Sequence, residues 1–203
     1  MFSSSLNVFL GQSSDEETIN DDGLNREEQS NSSNKGFLLS SSVVDSLCDQ
    51  VKNKHDLSLL TSLINGYRAA CHYGSEAASN VDAVRCYKIG NSETFSKILI
   101  FTLGEADNLF REHLGLTNSR VKKETILEMK NTQKWKAVKP LIKSYLRSCL
   151  FLLNDASETE ILRFALAQIR ASIIFFAAFP SLQRRLIKAC IRFTLIFLPC
   201  FFC

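Results

Sequence analysis

The chain has 203 residues, 45% of them hydrophobic and 22% charged, enough for one domain with a sizeable core. Eight Gly and three Pro, with few alternating valine-rich runs, leave little material for an all-β fold. The net charge of +3 conceals an asymmetry: residues 1–34 carry seven acids and one base, and residues 35–203 carry 23 bases and 14 acids. A basic body behind an acidic tail is compatible with nucleic-acid or ribonucleoprotein partners, and equally with an ordinary soluble domain.

Met1 to Leu10 contains Leu6, Val8, Phe9 and Leu10 but no basic n-region and no long apolar stretch, so it is a poor secretory signal. From Gly11 to Lys35 the composition is Ser, Asn, Asp and Glu with almost no apolar anchor. Such a segment buries too little surface to offset the entropy of ordering, and residues 1–35 are expected to form a disordered acidic tail. Within it, Ser13 and Ser14 precede Asp15-Glu16-Glu17, a context that acidophilic kinases favour, which makes both serines candidate phosphorylation sites.

Helical periodicity begins after Ser40-Ser41-Ser42, with Val43, Val44, Leu47, Cys48 and Val51 on one side. The next helix is expected to start at an Asp56 cap, run through Leu60, Leu63, Ile64 and Tyr67 to about Tyr73, and stop at Gly74. Residues 75–90 read as a loop. A third helix is expected from near Ser92, with Gly115 as its left-handed stop, followed by a long charged connection that holds a short helix around Glu124 to Met129. A fourth is expected after Pro140, whose missing N–H is harmless in a first turn.

The stretch from Ser157 to Arg192 is the most informative. A capping-box pattern, Ser157-Glu158-Thr159-Glu160, opens a helix on which Leu162, Ala165, Leu166, Ile169, Ile173 and Phe176 form one stripe. Ile161, Phe164, Ala171, Phe175 and Ala178 form a second stripe beside it, and a last helix follows the Phe179-Pro180-Ser181 corner. Neither helix covers its apolar surface alone. The expected fold is therefore all-α: stacked helical hairpins resembling a fragment of a right-handed HEAT or armadillo solenoid, with a tight corner per pair of roughly 20-residue helices. After Arg192 the chain turns apolar through residues 193–203, and these eleven residues, broken by Pro199, are too few to cross a bilayer, which takes about 20.

Little points to catalysis. Ser119 and Lys122 form a bare S-x-x-K with no second polar motif, and the chain lacks a Gly-rich phosphate loop, a G-x-S-x-G and an H-E-x-x-H. Cys200 and Cys203 form a C-x-x-C, but His55, His72 and His113 are scattered singly, so no metal or cofactor is expected. The seven cysteines, Cys48, Cys71, Cys86, Cys149, Cys190, Cys200 and Cys203, are an odd number and read as reduced, mostly buried thiols of an intracellular protein. A basic cluster stands out instead: Arg120, Lys122, Lys123, Lys130, Lys134, Lys136, Lys139, Lys143 and Arg147 outnumber Glu124 and Glu128. With Trp135 and Tyr145 interleaved, it fits either a site that grips phosphates and stacks an unpaired base, or a solvated face around a core tryptophan.

Four longer strings, Asn65-Gly-Tyr-Arg-Ala-Ala-Cys-His-Tyr-Gly74, Ser92-Glu-Thr-Phe-Ser-Lys-Ile-Leu-Ile100, Trp135-Lys-Ala-Val-Lys-Pro-Leu-Ile-Lys-Ser-Tyr-Leu-Arg147 and Phe175-Phe-Ala-Ala-Phe-Pro-Ser-Leu-Gln-Arg-Arg-Leu-Ile-Lys188, resemble the nucleolar complex protein 2 family, especially its plant members. The resemblance covers roughly residues 36–192, and residues 193–203 resemble nothing in the family. Family members continue well past that point, so the chain looks like a truncated or mis-spliced product. Residues 79–86 look lengthened by an insertion. The resemblance implies a non-enzymatic helical scaffold of the nucleolus and nucleoplasm that pairs with sister nucleolar complex proteins on precursors of the large (60S) ribosomal subunit, with no small-molecule substrate and no membrane. The alternative is a generic helical-repeat adaptor for nuclear transport or chromatin, whose basic face meets acidic protein.

Overall fold

Polar side chains placed one residue ahead of apolar runs decide where the helices begin. A computed structural model of the protein describes residues 37–73, 87–116, 123–156 and 159–197. Ser40 caps α1, Ser41–Lys54, by accepting the Val43 N–H, and Asp56 caps α2, Leu57–Cys71, by accepting the Ser58 N–H at 2.8 Å. Asn91 does the same for α3, Ser92–Leu114, taking the Thr94 N–H at 2.8 Å, and Gly115 ends that helix with φ 73° in the left-handed region. The short α4 spans Lys123–Met129, and Thr132 caps α5, Gln133–Asp155. Then come α6, Thr159–Ile169, the single turn α7, Ile173–Phe176, and α8, Pro180–Phe197, which takes Pro180 into its first turn.

The expected tail 1–35 with Ser13 and Ser14, the Gly74 stop, the lengthened loop, Ser157 and Glu158, and Cys200–Cys203 lie outside the described residues.

Ion pairs and ring contacts fix how the helices stack. Ser41 donates to Glu93 at 3.0 Å, and Asp45 meets Lys97 at 2.8 Å, Lys52 meets Glu105 at 3.0 Å and His55 meets Glu112 at 3.2 Å. The partners ascend together, so α1 and α3 lie side by side and parallel. In the same way Tyr67 packs on Tyr145 and His72 on Phe151 between α2 and α5, and Trp135 meets Phe179 and Asn154 meets Arg192 between α5 and α8. The helices form two layers, α1–α3–α6 and α2–α5–α8, linked as the hairpins α1/α2, α3/α5 and α6–α7/α8. The first hairpin packs on the second and the second on the third, which is the nearest-neighbour arrangement of stacked helical repeats. The all-α expectation holds.

Between the layers lies one apolar core whose largest buried side chains include Trp135, Tyr67, Tyr145, Phe110, Phe175 and Phe176. Each such side chain contributes about 1.5–3 kcal/mol of burial. Tyr145 sits centrally, with Tyr67 and Phe110 against its ring at 5.6 and 5.5 Å.

Three expectations are corrected. Residues 75–90 are not all loop: β2, Tyr87–Ile89, pairs in parallel with β1, Phe37–Leu39, matching Phe37 with Tyr87 and Leu39 with Ile89. This ribbon lies on α2, and Leu39 is buried there. Pro140 is not in a first turn: α5 starts seven residues earlier, because Thr132 supplies a cap and Trp135 and Val138 have apolar space to fill. Finally, the helix expected from Ser157 to Ala178 breaks after Ile169. Bonds one residue shorter than the α-helical pattern, Ala171 N–H to Gln168 O at 3.1 Å and Ile173 N–H to Arg170 O at 3.4 Å, tighten the chain there. The break turns both Phe175 and Phe176 into the core and leaves Ile173, expected on the inner stripe, 56% exposed. Phe175 then meets Phe110 edge-on at 5.8 Å.

Candidate nucleic-acid interface

The sequence cluster is divided by the structure. On α5, Lys136, Lys139, Lys143 and Arg147 are spaced i, i+3, i+7 and i+11, which places them on one side of the helix over about 16 Å of its length. Three are exposed and Lys143 is half-buried. Lys134 is exposed off that row, and its ammonium lies against Gly115, where a Cβ would come within 3.1 Å of it. It therefore sits at the negative, C-terminal end of α3. Lys123 is exposed on α4, Lys130 follows α4 half-buried, and Arg120 and Lys122 lie outside the described residues, as does Ser119.

The aromatic half of the expectation is corrected. Trp135 is 2% exposed and stacks on Phe179, and Tyr145 is fully buried, so neither ring has a face for a nucleobase. The reason lies in helix phase: Trp135, Val138, Ile142 and Tyr145 recur on the inward face, and the basic row runs along its flank. No large aromatic is exposed on α5 or on α8 from Pro180 to Phe193.

Charge is sorted by layer. Helices α1, α3 and α6 carry seven acids and five bases, whereas α2, α5 and α8 carry ten bases and one acid, Asp155. All six ion pairs among the described residues fall in the first layer and its His55 cap. The tightest is Arg111–Asp107 at 2.7 Å, both side chains 12% exposed. None of the bases of α5 or α8 joins a carboxylate among the described residues. Four of these, Arg184, Arg185, Lys188 and Arg192 on α8, are exposed and were not anticipated from the sequence. The signal was present in the Arg185, Lys188, Arg192 spacing, but it was masked by the apolar residues between them.

The buried titratable groups do structural work. Burial pushes the Cys149 thiol up to about 12, and Tyr67 Oη lies 3.4 Å from its sulfur. Cys71 and the Tyr67 and Tyr145 hydroxyls are raised by the same burial. Cys48 also reaches about 12, from burial first and from Asp45 and Asp49 second. Thiols held neutral in this way are poor nucleophiles. Among the described residues no three His, Cys, Asp or Glu side chains converge as a metal site, and no helix is long and apolar enough to cross a membrane.

No family model matches the chain. It is similar to Protein REBELOTE of Arabidopsis thaliana, 46% identical over 151 residues, which are 74% of this chain and 25% of that protein. It is also 38% identical over 156 residues to Nucleolar complex-associated protein 2 of Arabidopsis thaliana, 76% of this chain and 20% of that protein. The chain belongs to the nucleolar complex protein 2 family. It spans about a quarter of the length of one of these curated relatives and a fifth of the other. The aligned stretch is long enough to take in most of the stacked hairpins.

Proposed function

We propose that the chain is a non-enzymatic nucleolar assembly factor for the large (60S) ribosomal subunit. Its helical body, residues 36–192, serves as a scaffold in a complex with sister nucleolar complex proteins and pre-60S particles, in nucleolus and nucleoplasm. The basic row Lys136, Lys139, Lys143 and Arg147 touches pre-rRNA through its phosphates.

The partition of charge carries this reading. In one layer six of the seven carboxylates lie in ion pairs, while the α5 row in the other meets no carboxylate among the described residues, as a surface for a polyanion requires. Family membership gives the setting, since one relative bears the name Nucleolar complex-associated protein 2. With no exposed aromatic on the row, recognition is of backbone charge and not of base identity.

Two measurements test it. The tagged protein should co-sediment from nuclear extract with large-subunit precursors, and ribonuclease should release those partners; a purely protein complex that survives ribonuclease would favour the adaptor alternative. Replacing Lys136, Lys139 and Lys143 with Glu should weaken RNA binding and flatten its dependence on salt, by about 0.7–0.9 in slope for each phosphate no longer neutralised. Unchanged affinity and slope would remove the RNA role.

A further inference from the structure

The α8 bases form a second row beside the first. Arg185, Lys188 and Arg192 are spaced i, i+3 and i+7, so they share one side of α8, and all three are exposed. Leu182, Leu186 and Ala189 are buried on the side that packs into the stack, and the basic row flanks them.

Which flank it occupies is fixed by one hydrogen bond. Arg192 Nη1 donates to Asn154 Oδ1 at 3.4 Å. Asn154 lies seven residues beyond Arg147, about two full turns on, and thus continues the α5 row. The α8 row therefore borders the α5 row. The helices run parallel, as Trp135 against Phe179 near their starts and Asn154 against Arg192 further along show. Packed helices lie about 8–10 Å apart, axis to axis, so the backbones that carry the two rows are separated by about that distance.

We infer that α5 and α8 together form a two-row site for an A-form RNA duplex, with Lys136, Lys139, Lys143 and Arg147 on one phosphate strand and Arg185, Lys188 and Arg192 on the other. This rests on the reading that the α5 row binds RNA and adds the second row and the double-stranded ligand. Two phosphate strands lie close together across the narrow, deep major groove of A-form RNA, which side chains cannot enter to read bases. A pair of cationic rows without aromatic residues matches that feature. A single strand would meet one row and find no ring on which to stack its bases. An acidic peptide needs no second parallel row.

The test uses the full 203-residue chain and three probes of equal length at equal salt: an RNA duplex, a single-stranded RNA and a polyglutamate peptide. The triple variant Arg185→Glu, Lys188→Glu, Arg192→Glu should lose at least about tenfold in duplex affinity, and its salt slope should fall by about two to three, since each cation replaced leaves one phosphate with its counterions. Its single-strand affinity should change by no more than about twofold. The neutral variant Arg185→Gln, Lys188→Gln, Arg192→Gln should fall between it and the wild type, and it serves in place of the Glu variant if that one shows altered helical content or melting. Equal losses on duplex and single strand overturn the duplex assignment. No loss on the duplex, with the α5 variant still impaired, overturns the second row and leaves the α5 reading standing. If neither set of variants matters, both readings fall. Polyglutamate binding as tight as the duplex, and equally sensitive to both rows, makes the face a protein-docking site and overturns the inference.

Discussion

Trp135 and Phe179 stack with centroids 6.2 Å apart and 27° between their planes, joining the first turn of α5 to the corner that starts α8. Trp135 is the single tryptophan of the chain, so its emission reports on this packing alone. Emission should be blue-shifted and shielded from aqueous quenchers, and saturating RNA should leave it unchanged, because the ring is buried beneath the surface that carries the row. Strong quenching by RNA would mean that the indole meets bases after all. Trp135→Ala should cost about 3–5 kcal/mol in chemical denaturation, the usual result of emptying a core site of that size.

Two glycines in helices give opposite expectations. At Gly66 on α2, an added Cβ would come within 2.6 Å of Ile98 Cδ1 and 3.3 Å of Leu39 Cδ1, and both neighbours are buried. Gly66→Ala should therefore destabilise by about 1–3 kcal/mol through overpacking, partly offset by its better helix propensity. Gly104 lies exposed within α3 with nothing within 4 Å of a Cβ, so Gly104→Ala should stabilise by about 0.5–1 kcal/mol. Denaturation midpoints of the two variants should move in opposite directions.

These contrasts mark where the sequence is legible. Ser40, Asp56 and Gly115 announce helix ends by local chemistry, and the structure uses each one as a cap or stop. The basic cluster was legible only as composition: with the helix expected after Pro140, Lys136 and Lys139 lay ahead of it and the row could not be read. What depended on distant neighbours was not legible. The role of Trp135 was set by Phe179, 44 positions away, and Phe175, just past the turn at Ala171, packs on the distant Phe110. The β1–β2 ribbon joins two three-residue strands about 50 positions apart, too short for either to carry an alternating pattern. Lys134 was grouped with its sequence neighbours, yet it belongs to the end of α3.

His72 should give stability a pH dependence. Its ring lies on Phe151 at 3.9 Å, and burial first, with the Arg68 charge second, holds it below the ordinary histidine value of 6.5. The unfolded chain therefore takes up a proton here before the folded one does. Stability from this site is full above about pH 6.5 and is lost as pH falls from there toward the depressed folded value. In His72→Phe, which keeps an aromatic ring against Phe151, that part of the acid-side loss should vanish. Urea midpoints of the two proteins from about pH 8 to about pH 5 measure it, and parallel curves would show that His72 titrates alike in both states.

Pro140 lies within α5 and is exposed on the same side as the basic row, four residues after Lys136. Lacking an N–H, it cannot close the bond that the Lys136 carbonyl would otherwise accept, and a proline in a helix interior disfavours the helix by about 3 kcal/mol. Part of that cost is offset because proline also stiffens the unfolded chain. Pro140→Ala should therefore raise stability, by about 1–2 kcal/mol, readable as a higher melting temperature. It removes no cation and moves none from the row, so the salt slope of RNA binding should stay as in the wild type. A stabilised variant with a shallower slope would mean that the proline shapes the row itself, splitting Lys136 and Lys139 from Lys143 and Arg147.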